Sequence, residues 1–71
     1  MDSLSRAIEQ IINAYVRYNN RAALDNLKLH RQKMLIDIRA RPPSDYDWSL
    51  ITSDIEEDLA LINAGLERLP R

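Results

Sequence analysis

The chain has 71 residues, 45% of them hydrophobic and 30% charged, with a net charge of −1 and no cysteine. This is a globular composition for a single domain over residues 1–71, and a core of that size is worth only about 3–5 kcal/mol unless something else supports it. Disulfides are excluded, and a lone histidine (His30) without a thiolate nearly excludes a structural zinc, which leaves helix packing or a partner chain as the source of stability.

Gly65, Pro42, Pro43 and Pro70 are the only glycine and prolines, so the elements are few and long. Leu, Ala, Arg, Glu and Asp outweigh Val and Thr, so those elements are expected to be helices. The first helix should start near Ser3, an acceptable N-cap, and run to about residue 40. Its apolar residues, Leu4, Ile8, Ile11, Ile12, Tyr15, Val16, Leu24, Leu27, Met34, Leu35 and Ile38, recur at helical spacing rather than alternating. Pro42-Pro43 ends it, because the residue before a proline is pushed out of the α region. Tyr18-Asn19-Asn20-Arg21 interrupts the stripe. That stretch has no Gly or Pro, and an Asn inside a helix costs only about a few tenths of a kcal/mol, so the spacing favours a continuous helix. The alternative is a three-helix bundle with a break near Asn19-Asn20 and Asn20 capping a separate helix.

A turn over residues 41–44 should lead into a second helix over about residues 45–69. Ser44-x-x-Asp47 is a capping signal, and Asp45 and Asp47 suit the positive end of the helix dipole. Trp48, Thr52, Ile55, Leu59, Ile62, Leu66 and Leu69 alternate in steps of four and three, a heptad seam of coiled-coil type. Gly65 costs about 1 kcal/mol inside a helix relative to Ala. Fraying or capping there is the expectation, ahead of close approach by another backbone.

Folding these two helices into an antiparallel hairpin around Pro43 sets Trp48 against Ile38, Thr52 against Met34, Leu59 against Leu27 and Ile62 against Leu24. The expected intrachain core is therefore Leu24, Leu27, Met34, Ile38, Trp48, Ile55, Leu59 and Ile62. Charge agrees: residues 1–41 hold eight Lys/Arg and four Asp/Glu, whereas residues 42–71 hold two and seven. Asp54, Glu56, Glu57 and Asp58 should face the stretch containing Lys28 and Arg31, which fixes register more than it adds stability. At 1.5 Å per residue the first helix would span about 55 Å and the second about 36 Å. The surplus end would leave Leu4, Ile8, Ile11, Ile12, Tyr15, Val16 and Tyr18 for a protein partner, since burying such side chains is worth about 1.5–3 kcal/mol each. Tyr46, off the seam, is a further partner-binding candidate, whereas Trp48 should close the hairpin over Ile38 and Leu35.

No catalytic, cofactor-binding or metal-ligating set is indicated. His30 has no second ligand or base one turn away. Ser44, Ser49, Thr52 and Ser53 carry no nucleophile motif, and the acids at 54–58 lack the glycine-containing pattern of a calcium loop. A two-helix chain also offers no cleft in which to desolvate paired acids, so the expectation is that the chain is not an enzyme. Lys28, Arg31, Lys33, Arg39 and Arg41 form a basic stretch, but Asp25 and Asp37 interleave it, so nucleic acid is not the expected partner. No apolar run approaches the roughly 18 residues of a membrane span, and no secretory signal is visible, so a cytoplasmic location is expected.

The stretch Pro43-Ser44-Asp45-Tyr46-Asp47-Trp48, followed by Ile55-Glu56-Glu57-Asp58-Leu59-Ala60-Leu61-Ile62, resembles the small E-type chaperones of the type III secretion needle subunit. Those proteins are about this long. A similar turn leads to a tyrosine at the start of their second helix, then to alternating small and aliphatic residues after a glutamate. The resemblance covers mainly residues 43–64. The sequence departs from the pattern in its longer first helix and in Arg-Pro-Pro where the family has a glycine-containing turn. The resemblance implies a cytoplasmic helical hairpin that pairs with a tetratricopeptide-like co-chaperone and holds the needle subunit monomeric before export. It places the contacts on Leu4, Ile8 and the aliphatic face of the second helix. The other reading is a homodimeric helical bundle with a regulatory or RNA-binding role.

Overall fold

The computed structural model describes the backbone of residues 3–41 and 47–70 and the side chains of residues 7–41 and 47–70. Three helices follow one another: α1 (Ser3–Arg17), α2 (Arg21–Arg39) and α3 (Ser49–Arg68). No strand occurs among the described residues, so the all-α expectation holds. The continuous first helix does not form. It breaks where the three-helix alternative puts the break, and two adjacent asparagines account for it. Asn19 takes φ 53°, the left-handed conformation that asparagine tolerates better than most side chains. Its N–H donates to the Val16 carbonyl (3.0 Å), and the Asn20 N–H reaches back to the Tyr15 carbonyl (2.8 Å). This pair of bonds is a Schellman closure with Asn in the position usually held by glycine. Asn20 then opens the next helix: its side-chain oxygen accepts from the Ala23 N–H at 3.1 Å.

The connection from α2 to α3 is longer than a turn over 41–44. Residues 42–46, including Pro42, Pro43, Ser44 and Tyr46, lie outside the described residues. α3 begins at Ser49 rather than near residue 45, and Trp48 at its N-cap position makes no side-chain capping bond. Asp47 serves instead, its carboxylate accepting from the Ser49 N–H at 2.9 Å. Arg41 lies 5.2 Å from the centre of the Trp48 ring and also pairs with Asp37 at 3.1 Å, which ties the end of α2 to the start of α3. At the other end, Leu69 is extended (φ −73°, ψ 141°) because Pro70 follows it.

Leu24 and Ile62 are fully enclosed and belong to one core cluster. Ile8, Ile12 and Leu69 complete the core around them, flanked by Tyr15, Val16, Leu27, Leu61 and Leu66. Nearer the connection Leu35 and Ile55 are buried, and Ile38, Trp48 and Leu59 are half-buried. Met34 departs from expectation: it is 38% exposed and Leu35 is buried in its place. The stripe of α2 that faces α3 runs Leu24, Leu27, Arg31, Leu35, Ile38, and Met34 sits about 100° round the helix from Leu35. The acidic cluster does meet α2 near its middle, with Asp58 3.2 Å from Arg31, and Glu56 reaches Arg39 at 3.0 Å.

Gly65 is buried and α3 continues past it to Arg68, so the glycine neither frays nor caps the helix. It is where α1 crosses. A Cβ at Gly65 would lie 2.5 Å from Ile12 Cγ2 and 3.6 Å from Val16 Cγ2. Just beyond the crossing, the Arg68 guanidinium donates to the Asn13 side-chain oxygen at 2.7 Å.

Candidate interaction surface

The break at residues 18–20 changes the fate of the supposedly unpaired end. Once α1 turns back, Ile8 (6% exposed) and Ile12 (3%) are spent on the chain's own core, and Tyr15 and Val16 pack against it. The mismatch in helix length that nominated this end for a partner is thus resolved within the molecule. Substituting Ile8 or Ile12 by Asp would destroy the core rather than probe an interface. The contacts implied by the resemblance meet the same obstacle, because Ile8 and the aliphatic face of α3 (Ile55, Leu59, Ile62, Leu66) turn inward. The backbone of Leu4 belongs to α1, but its side chain is outside the described set, as is the whole of Tyr46.

Two of the nominated residues do stay open. Ile11 is 44% exposed and Tyr18 is 79% exposed. Ile11 is on α1, Tyr18 is in the turn just past its end, and the half-buried Tyr15 lies between them in sequence. A groove of about 360 Å³ runs between α1 and α3, lined by Glu9, Ile12, Asn13, Leu61, Ala64, Gly65 and Arg68. A wider one, about 980 Å³, lies at the junction of α2 and α3, between Arg21 and Lys28 on one wall and Asn63, Leu66, Glu67 and Leu69 on the other.

Sequence reasoning missed a second open set: Leu29 (51% exposed) and Ile36 (68%) on α2, and Leu50 (72%) at the start of α3. The +7 spacing of Leu29 and Ile36 was available as a signal. It was hidden because the apolar residues of a single long helix were assigned to one stripe, whereas α2 carries two.

Three arginines engage carboxylates. Arg31, with its side chain 22% exposed, pairs with Asp58 (26%), and Arg39 and Arg41 pair with Glu56 and Asp37. His30 is exposed and its Nδ1 lies 2.9 Å from the Arg31 guanidinium. The Asp47 carboxyl is held below its ordinary range, first by the backbone N–H of Ser49 and then by the Ser49 hydroxyl. Among the described residues no group of three or more His, Cys, Asp or Glu side chains is placed to hold a metal ion, and no helix is long and apolar enough to cross a membrane.

Comparison with models of protein families, with curated proteins and with solved structures finds no match to this chain. The likeness to the needle-subunit chaperones therefore rests on the residues quoted above.

Proposed function

We propose that this chain is a non-catalytic protein-binding module that works through exposed helix faces. The observation that carries the reading is the edge of α1. Ile11 on α1 and Tyr18 in the turn just past its end remain open at a spacing of seven, whereas the other large apolar side chains of α1 among the described residues are packed inward. Scattered apolar residues on a surface are ordinary. A pair spaced by seven along a helix and the turn after it, with a half-buried tyrosine between them in sequence, has the make-up of a helix-in-groove contact.

The finer form of the proposal follows the resemblance over residues 43–64. The chain is a cytoplasmic secretion chaperone subunit that pairs with a helical-repeat co-chaperone, the two together holding a needle subunit before export. A concave helical-repeat surface suits this chain because it accepts a single amphipathic helix edge. The ion pairs of Arg31, Arg39 and Arg41 with carboxylates support a protein partner over a nucleic acid, since three of the five cations of the basic stretch already face an acid.

The test is co-expression with a tetratricopeptide-type co-chaperone and a needle subunit from the same host, followed by size-exclusion chromatography. A ternary complex that Ile11→Asp or Tyr18→Ala abolishes, with unchanged circular dichroism of the chain alone, supports the reading. A complex that survives both substitutions moves the contact elsewhere. If no complex forms with either protein, the secretion reading fails.

A further inference from the structure

The outer face of α2 carries a second heptad pattern that the fold leaves uncovered. Ala22, Asn26, Leu29, Lys33, Ile36 and Ala40 follow in steps of four and three, and all six are exposed. They lie on the side of the helix away from the stripe that meets α3. Within this seam Ala22, Leu29 and Ile36 occupy one heptad position and Asn26, Lys33 and Ala40 the other. One flank is lined by Asp25, Gln32 and Arg39, again at steps of seven and again exposed.

We infer that this face binds a second copy of the chain, α2 against α2 in antiparallel orientation, with the two-fold axis near Gln32. The flank argues for it. In an antiparallel pair, matching flanks meet across the two-fold, so Asp25 of one copy lies opposite Arg39 of the other, Gln32 meets Gln32, and Arg39 meets Asp25. An acid, a neutral amide and a base in that order are self-complementary in this orientation, because the charges at the two ends are opposite. The seam agrees with the same register: Leu29 packs beside the stem of Lys33, Ile36 beside Asn26, and Ala22 beside Ala40. The long Lys33 stem covers apolar surface while its ammonium reaches water. A parallel pair would instead stack Lys33 on Lys33 and bring the Asp25 flank against Ala23, His30 and Asp37, which offer no matching series. Arg39 already donates to Glu56 at 3.0 Å, yet its side chain remains 60% exposed and has donors to spare for a second carboxylate.

A seam of this length, with two large apolar side chains per copy, belongs with interfaces near the ~1,000 Å² lower limit, so the dimer should be weak and concentration-dependent. It uses a face distinct from the α1 edge and does not depend on the function proposed above.

Sedimentation velocity of the intact chain over a wide concentration range, together with directed cross-linking, tests the inference. The wild-type chain should pass from monomer to dimer as concentration rises. Ile36→Gln and Leu29→Gln should each weaken the dimer by about tenfold or more without changing helicity, because both side chains are already in solvent. Asp25→Arg should weaken it, and adding Arg39→Glu should restore it. Since the chain has no cysteine, Gln32→Cys should cross-link two copies under mild oxidation. Asp25→Cys should not, because in the antiparallel pair the two introduced thiols stand about 21 Å apart. Ile11→Asp should leave the dimer intact, which separates this face from the partner edge. A chain that stays monomeric at millimolar concentration, a dimer that survives both glutamine substitutions, or efficient cross-linking of Asp25→Cys would each overturn the inference.

Discussion

The two ends of the molecule are built differently. At one end α1, α2 and α3 converge, and Ile8, Ile12, Leu24, Ile62 and Leu69 form a core drawn from all three. At the other end, among the described residues, α2 and α3 meet without α1, burying Leu35 and Ile55 and adding two polar ties, Arg39–Glu56 and Arg41 over Trp48. The hairpin end also leaves Ile36 and Leu50 largely in solvent, whereas the three-helix end encloses Leu24 and Ile62 completely. The third helix is what turns a hairpin into a domain, and the two asparagines that separate it from α2 provide it.

The contrast is sharpest in a pair of core truncations. Leu24→Ala should cost about 2–5 kcal/mol, because the cavity would be walled by three helices and could not collapse. A core of this size is worth about 3–5 kcal/mol, so that loss would leave the variant largely unfolded at room temperature. Leu35→Ala at the two-helix end should cost clearly less, since water and neighbouring side chains can fill the space. Urea unfolding of the two variants measures the difference, and equal losses would contradict the asymmetry between the ends.

Gly65→Ala probes the crossing itself. Alanine usually stabilises a helix relative to glycine by about 1 kcal/mol. Here the added methyl would lie 2.5 Å from a methyl of Ile12, a β-branched side chain with little freedom to move. The overpacking cost, about 1–3 kcal/mol, should outweigh the gain, and a net loss is expected. Combining it with Ile12→Val, which keeps the crowded methyl, should not relieve the clash. Combining it with Ile12→Ala should relieve it, so that the two losses fail to add.

Much of this was legible in the residues. The heptad of α3, the burial of Leu24 and Ile62 and the meeting of Arg31 with the acidic cluster all follow from spacing and charge. The break between α1 and α2 was less so, because asparagine is neutral by helix propensity. Its two roles here, a left-handed residue at 19 and a side-chain acceptor at 20, appear only when both are considered together. That one ambiguity carried the partner assignment with it: a continuous helix leaves Ile8 and Ile12 unpaired, and a broken one buries them. Gly65 belongs to the same chain of inference, since a close crossing there has no cause until α1 folds back. The start of α3 was misplaced for a different reason. Ser44-x-x-Asp47 satisfies the capping pattern, but the helix starts only after Trp48.

The break can be tested directly. Asn20→Ala removes the acceptor for the Ala23 N–H and should cost about 1 kcal/mol. Asn19→Gly should be neutral or slightly stabilising, because glycine adopts positive φ without strain. Replacing both asparagines with alanine favours a continuous helix and would expose Ile8 and Ile12. The double variant should therefore self-associate through them and lose the three-helix core, which size-exclusion chromatography and amide exchange at Ile12 would register. If it stays monomeric and exchange at Ile12 is unchanged, packing of α1 rather than the asparagines sets the break.

The smallest effect belongs to the two-helix end, at Asp47. Its carboxylate is held below the ordinary range by hydrogen bonds from Ser49 in the folded chain, so the folded state binds a proton less readily than the unfolded one. Its contribution is therefore fully present above the ordinary carboxylate pKa and is lost as pH falls through the lowered value. Acidification should fray the first turn of α3 before it disturbs the crossing at Gly65. An acid titration followed by the amide resonances of Ser49 and Gly65 reads the two ends separately. The Ser49 amide should shift with a midpoint below that of an unperturbed aspartate, and Asp47→Asn should flatten its titration. A Ser49 midpoint at or above the ordinary aspartate value would mean that Asp47 does not hold the start of α3, and the first turn would then rest on the contact between Arg41 and Trp48.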